Sequence, residues 1–126
     1  GLGSKVYFTG YVDYNKMPLV YNTADVVVLP SLWDEPAGLT IIEGMACRRP
    51  VVTTYSGGIP EYTGEQSCIL LNRDEKLTEN IVKEVEKLLQ NKEYNNQIST
   101  DSFNRAQKFN SEFYYQQFVE ILGVKE

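Results

Sequence analysis

The sequence predicts an α/β fold in which a parallel sheet is covered by helices on both faces. Two observations carry this prediction. Short β-branched runs alternate with segments of helical spacing up to about residue 72 and are joined by short loops, a pattern typical of parallel sheets. From about residue 74 to residue 122 the apolar residues recur at helical spacing alone, so this single domain, residues 1–126, should end in helices.

The predicted strands are short runs rich in valine, isoleucine and aromatic side chains. In chain order they are Val6–Thr9, Val26–Leu29, Val51–Thr54 and Cys68–Leu71. The second is a continuous apolar run stopped by Pro30, as expected of a strand that is buried on both faces.

Helices are predicted between the strands and after the last one. Those between strands are Met17–Ala24, capped within Asp13–Asn15, then Leu39 to about Arg48, and one turn at Ile59–Tyr62. Those after the sheet are Leu77–Leu88 with Asp74 as N-cap, Asn95–Lys108, and a helix that begins after Asn110-Ser111. We expect the last helix to bury an apolar stripe made of Tyr114, Phe118, Ile121 and Leu122.

Composition narrows the range of functions. The 126 residues suit one compact domain, and no run of about 18 apolar residues could span a bilayer. The net charge of −5 argues against nucleic acid as a partner, and neither a signal peptide nor membrane association is indicated. We expect Cys47 and Cys68 to be reduced thiols near the sheet of a cytoplasmic protein. The two cysteines show no metal-ligand spacing, and the absence of histidine removes the commonest general base and metal ligand, so we expect a chemistry of carboxylates, hydroxyls and backbone amides.

Two carboxylates, Glu35 and Glu43, flank the predicted helix start at Gly38 with seven residues between them. This loop follows a buried strand, and ligands of such sheets bind beyond the carboxyl ends of the strands. A helix start attracts phosphate through unpaired N–H groups, and Gly38 permits close approach. Glu43 could accept hydrogen bonds from the vicinal hydroxyls of a ribose, and Glu35 from hydroxyls at the other end of the ligand. A nucleotide sugar fits this description.

Simpler interpretations stand beside this one. From spacing alone, Glu35 could merely complement the helix dipole, and Glu43 could be a solvated residue of the helix surface. A carboxylate pair also serves glycosidases, although the adjoining helix start favours phosphate-linked substrates over plain glycosides.

Several linked motifs extend this pattern. In order, the chain reads V-Y-F-T-G-Y-V, A-D-V-V-V-L-P-S, L-W-D-E-P-A-G-L-T-I-I-E-G-M-A-C-R-R-P-V-V and S-G-G-I-P-E. These motifs resemble those of the retaining glycosyltransferases of family 4, the glycosyl transferases group 1, over nearly the whole chain. The resemblance implies the GT-B architecture, with two Rossmann-like domains facing a cleft. The C-terminal domain, to which this chain is similar, would bind a nucleotide-diphosphate sugar. The sugar would be transferred with retention, and without a metal, to an acceptor in polysaccharide or glycolipid synthesis.

The resemblance also implies roles for individual residues. Glu35 would contact the transferred sugar as the acidic residue nearest the reacting centre, and Glu43 would bind the ribose hydroxyls. The sugar and phosphate would be held by the backbone of Ala37, Gly38, Leu39 and Thr40. The nucleotide base would lie near Gly10, Tyr11 and Val12. Neighbouring loops would be shaped or braced by Ser31, Gly57, Gly58 and Glu61.

The same comparison implies that the domain is incomplete. Its first two strands, and the basic residues that neutralise the diphosphate, would precede Gly1. These strands would lie between residues 6–9 and 26–29, so direct pairing of those two segments would count against the idea. Self-association or a second chain could complete the sheet. The N-terminal domain of the parent enzyme would hold the acceptor glycan or glycolipid. That enzyme would be cytoplasmic or peripheral to the inner face of the membrane, and this chain alone would be inactive.

Two departures from the family pattern bear on activity. Arg48 stands where glycine usually ends the helix, and Gly44 stands where alanine is usual. The alternative function is a non-catalytic nucleotide-binding or scaffolding domain of the same fold. A sugar phosphorylase of similar architecture is a further possibility that no motif in the chain supports.

Overall fold

The structure, a computed structural model, describes residues 1–123 and confirms the α/β prediction. Three parallel strands form one sheet in the order β1-β2-β3, where β1 is Val27–Leu29, β2 is Val51–Thr54 and β3 is Ile69–Leu71. In the register, Val27 lies opposite Val51 on β2, and Val52 lies opposite Ile69 on β3.

Helices link the strands and follow the sheet. A 3₁₀ turn, Tyr14–Lys16, leads into α1, Met17–Thr23. The two links between strands are α2, Leu39–Ala46, and α3, Ile59–Thr63. The chain continues with α4, Leu77–Gln90, α5, Lys92–Ala106, and α6, Ser111–Leu122.

The side chains of β2 point alternately into two cores, one on each face of the sheet. Val51 packs with Met45 of α2 in a core that also includes α1 and α3. Val52 packs with Leu88 of α4 and Ile98 of α5. Because both faces are covered, every residue of β2 is buried. The sequence predicts such burial for β1 instead, and this prediction is wrong: Val28 of β1 is 39% exposed, and β1 lies at the edge of the sheet that the structure describes.

Residues 6–9 do not form the predicted strand. They belong to no helix or strand, and Tyr7 and Phe8 are 86% and 96% exposed. β-branched and aromatic residues favour a strand because they pack on a half-buried surface, and this segment has no such surface beneath it. It pairs neither with β1 nor with the other strands described, so the direct pairing that would count against intervening strands does not occur.

The predicted burial of the α6 stripe is also wrong. The helix itself forms, with the Asn110 side chain accepting a hydrogen bond from the Phe113 N–H at 2.8 Å. However, Tyr114, Phe118 and Ile121 are 53%, 61% and 82% exposed, and Leu122 is exposed as well. Helical spacing predicts which residues share a face, but it carries no information on whether another element packs against that face.

The helix starts differ in detail from the prediction. Lys76, not Asp74, is the N-cap of α4, and the Asp74 carboxylate instead accepts a hydrogen bond from the Lys76 N–H at 2.9 Å. Asp13 precedes the 3₁₀ turn but makes no side-chain capping bond. Helix α5 begins before Asn95 because Asn91 caps it, accepting from the Tyr94 N–H at 2.9 Å.

Candidate functional site

The loop between β1 and α2 carries the candidate site at the carboxyl edge of the sheet. Its beginning is tied to the neighbouring strand, because the Ser31 N–H donates to Thr54 Oγ1 at 3.0 Å and the Thr54 hydroxyl donates to the Ser31 carbonyl at 2.8 Å. The Ser31 hydroxyl in turn donates to the Trp33 carbonyl at 3.1 Å. Thr54 is fully buried at the end of β2, so the loop is anchored to the central strand of the sheet.

The segment that follows β2 holds the same loop from the other side. The Ser56 hydroxyl donates to the Trp33 carbonyl and accepts a hydrogen bond from the Glu35 N–H at 3.3 Å. The Gly58 N–H donates to the Glu35 carbonyl at 2.9 Å. Both backbone groups of Glu35 are therefore engaged, which fixes the origin of its side chain.

Two glycines allow this close contact between loops. A Cβ added to Gly57, whose φ is 48°, would overlap the Glu35 carbonyl oxygen and lie 2.8 Å from the Glu35 nitrogen. A Cβ added to Gly58 would lie 2.8 Å from the Pro36 carbonyl oxygen. Larger residues would therefore push the Glu35 loop away from its present position.

A cavity of about 320 Å³ opens beside this loop. Of the residues predicted from the sequence, it brings together Ser31, Glu35, Gly38 and Thr40. Gly38 is the N-cap of α2, so the first turn of that helix borders the cavity, and the Ile41 N–H of this turn donates to the Gly38 carbonyl at 2.9 Å. A half-buried carboxylate next to a helix start suits a ligand that combines hydroxyls with a phosphate.

Glu43 lies on the second turn of α2 and lines a second cavity, of about 360 Å³, together with Tyr21 and Cys47. The Tyr21 hydroxyl donates to Glu43 Oε2 at 3.1 Å and lies 3.3 Å from the Thr40 carbonyl oxygen. Burial, and then the hydrogen bond to Glu43, raise the pKa of Tyr21 to about 12, so the phenol remains a donor at neutral pH. The bond orients Glu43 and leaves its other carboxylate oxygen for a ligand.

Sequence reasoning missed two partners at this site. The spacing of apolar residues places Tyr21 on the buried face of the first predicted helix but assigns no role to its hydroxyl. A tyrosine on a buried face usually needs a hydrogen-bond partner for that hydroxyl. Arg73, which follows β3, donates to Asp34 Oδ1 at 2.8 Å and to the Leu32 carbonyl at 3.3 Å. Local sequence patterns could not predict this ion pair, because Arg73 and Asp34 are 39 residues apart.

Other predicted site residues lie outside the two cavities. Gly10, Tyr11 and Val12 belong to the segment before the 3₁₀ turn, where Tyr11 is 89% exposed. Ala37 and Leu39 are exposed beside the start of α2. Glu61 has an exposed side chain, and its carbonyl accepts a hydrogen bond from Arg105 Nη2 at 2.9 Å.

The structure also bears on metals, membranes and thiols. Across residues 1–123, no group of three or more His, Cys, Asp or Glu side chains is placed to hold a metal ion. No helix in that range is long and apolar enough to cross a membrane. Cys47 and Cys68 are free, and burial raises the pKa of both thiols, that of Cys68 to about 12.

Two solved structures superpose on nearly the whole chain. One is the Anabaena protein HepE in complex with UDP and glucose, with a TM-score of 0.82 and 26% identity, covering 99% of this chain and 34% of that chain. The other is sucrose-phosphate synthase from Thermosynechococcus elongatus, with a TM-score of 0.78 and 27% identity, covering 98% of this chain and 32% of that chain.

Two relatives also match the chain by sequence. Mannosylfructose-phosphate synthase of Agrobacterium fabrum is 48% identical over 59 residues, which are 47% of this chain and 13% of the relative. Spore coat protein SA of Bacillus subtilis is 29% identical over 122 residues, which are 96% of this chain and 32% of the relative. The chain thus matches about a third or less of the length of these relatives. Residues 1–105 match the family model described as glycosyl transferases group 1. The chain therefore belongs to the glycosyl transferases group 1 family.

Proposed function

We propose that this chain binds a nucleotide-diphosphate sugar, and that the protein containing it is a retaining glycosyltransferase of the hexosyltransferase type. One observation carries the proposal. Two cavities share α2 as a wall, and Glu35 and the start of α2 line one while Glu43 lines the other. The family match, and a structural neighbour that holds UDP and glucose, support this choice of ligand.

The diphosphate would lie at the start of α2, where the N–H groups of the first turn and the positive end of the helix dipole stabilise negative charge. The ribose hydroxyls would donate to the Glu43 oxygen that Tyr21 leaves available. The transferred sugar would then reach the cavity beside Glu35, with the base on the side of Gly10, Tyr11 and Val12.

Charge stabilisation at the leaving diphosphate is the main catalytic task in this proposal. The helix-start amides supply part of it without a metal ion. The nearby Arg73 is already paired with Asp34, so further positive charge would come from basic residues outside this chain. Glu35 would contact the transferred sugar during same-face attack and need not act as a nucleophile.

The remainder of the proposal concerns the whole protein. The chain covers 32% to 34% of its two structural neighbours, which leaves room in the parent protein for a second domain that binds the acceptor glycan or glycolipid. The free thiols fit a reducing, cytoplasmic setting. Without an acceptor domain, we expect the isolated chain to bind the donor but not to transfer the sugar.

Calorimetric titration of the full-length protein with UDP, GDP, UDP-glucose and GDP-mannose tests donor binding. We expect one nucleotide series to bind and Glu43→Ala to weaken it by about tenfold or more, because hydrogen bonds to a charged acceptor are lost. Glu79→Gln, which changes an exposed carboxylate in the first turn of α4, should have no effect. A protein that binds none of these compounds would contradict the proposal. Binding without sugar transfer to any acceptor would favour the non-catalytic alternative.

A further inference from the structure

The Tyr62 hydroxyl is a buried polar group without a partner. Tyr62 lies on α3, and its ring packs edge-on against Phe109 with the ring centroids 6.2 Å apart. Among the buried side-chain nitrogen and oxygen atoms of residues 1–123, Tyr62 Oη alone makes no hydrogen bond. Buried hydroxyls are rarely left unpaired, because they lose their hydrogen bonds to water without compensation.

This hydroxyl lies against the start of α2 and close to Glu35. A Cβ built on Gly38 would overlap Tyr62 Oη and would stand 3.4 Å from Glu35 Cγ. The absence of a side chain at Gly38 therefore brings the phenol and the glutamate to either side of the same small space. Burial, and then the negative charge of Glu35, raise the pKa of Tyr62 to about 12, so the phenol keeps its proton at neutral pH.

We propose that Tyr62 is a positioning residue for Glu35, an inference that rests on the proposed donor-binding function. When a nucleotide sugar occupies the cavity, the Glu35 side chain rotates so that one carboxylate oxygen accepts a hydrogen bond from Tyr62 Oη. The other oxygen then faces the sugar, with the plane of the carboxylate fixed.

The surroundings of Glu35 favour this arrangement. Its backbone is held by Ser56 and Gly58, so adjustment on ligand binding falls to the side chain. Tyr62 is not among the residues that line the cavity, whereas Glu35 is. The tyrosine therefore acts through the glutamate and does not touch the sugar.

Tyr62→Phe removes the hydroxyl and keeps the ring that packs on Phe109. In the full-length protein we expect unchanged or higher stability in urea, because an unpaired buried group has been removed. We also expect about a tenfold loss in affinity for UDP-glucose or GDP-mannose and in kcat, the size typical of one hydrogen bond to a charged group. In a Glu35→Gln background, Tyr62→Phe should cause little further loss.

Tyr94→Phe is the matched control. Its hydroxyl lies 3.4 Å from Glu84 Oε2, and its ring belongs to the other core, with Leu88. This variant should retain the wild-type donor affinity and kcat.

The outcomes separate this inference from the proposed function. If the wild type binds a donor and Tyr62→Phe binds and turns over equally well, the role of Tyr62 is refuted and the proposed function stands. A loss of the same size in the Glu35→Gln background would also refute it, because Tyr62 would then act independently of Glu35. If the wild type binds neither donor, both proposals fail.

Discussion

Replacing Gly57 by alanine tests how the Glu35 loop is held in place. Gly57 has a φ of 48°, and a side chain in this left-handed region costs roughly 1–2 kcal/mol. The added methyl would also overlap the Glu35 carbonyl oxygen and lie 3.0 Å from the Asp34 carbonyl carbon, and these backbone atoms move only if the loop moves. Since such overpacking costs about 1–3 kcal/mol, the free energy of unfolding should fall by about 2–5 kcal/mol in total.

Urea unfolding followed by circular dichroism measures this loss, and titration with UDP under folding conditions should show weaker binding. Gly123→Ala is the control, because Gly123 also has a positive φ, of 65°, but nothing lies within 4 Å of the added Cβ. This variant has the backbone strain without the steric overlap, so its free energy of unfolding should fall by no more than about 1–2 kcal/mol. If the two variants were equally stable and bound UDP equally well, the contact between the loops would not position Glu35.

Three further predictions concern the thiols and the end of α2. Burial raises the pKa of Cys68 from 9.0 to about 12. The stability that the buried thiol contributes is therefore fully present at a pH below its unfolded-state pKa, and it is lost as the pH rises toward its folded-state pKa. The urea midpoint should therefore fall more steeply above pH 9.0 in the wild type than in Cys68→Ala, and parallel curves would contradict this. Cys47, half-buried in the cavity with Glu43, should react with iodoacetamide faster than Cys68 and be protected by UDP, whereas rates unaffected by UDP would argue against a nucleotide in that cavity. Arg48 has a φ of 56°, so Arg48→Gly should be more stable than Arg48→Ala by about 1 kcal/mol in urea unfolding. The reverse order, usual at right-handed helical positions, would exclude that conformation.

Local pattern was sufficient to predict the strands and helices whose faces are covered by other elements. β2 illustrates this, because neighbouring residues Val51 and Val52 enter different cores, and such burial demands an unbroken run of β-branched residues. The sequence order also predicts that Glu35 and Gly38 line one cavity, because the loop after a parallel strand lies at the carboxyl edge of the sheet.

Long-range contacts could not be predicted from the same patterns. The bond from Tyr21 to Glu43 and the pair formed by Arg73 and Asp34 depend on how α1 and β3 sit beside α2 and its loop. The exposed stripe of α6 has the spacing of a buried one, because periodicity records a shared face and not a packing partner.

Arg48 departs from the family motif, which has glycine at this position, and the fold explains this departure only in part. The left-handed φ accounts for the glycine that the family pattern places there. The guanidinium lies 5.2 Å from the Phe103 ring centroid, a contact that offsets part of the strain.

The contact between the Glu35 loop and the segment after β2 also bears on hydrogen exchange. The Glu35 N–H donates to the Ser56 hydroxyl, and the Gly58 N–H donates to the Glu35 carbonyl, so both amides are shielded by the same junction. Neither can exchange with solvent until the two segments separate, and a single opening event should therefore set both exchange rates. A ligand that steadies the Glu35 loop should slow exchange at Gly58 as well, although Gly58 does not line the cavity beside that loop.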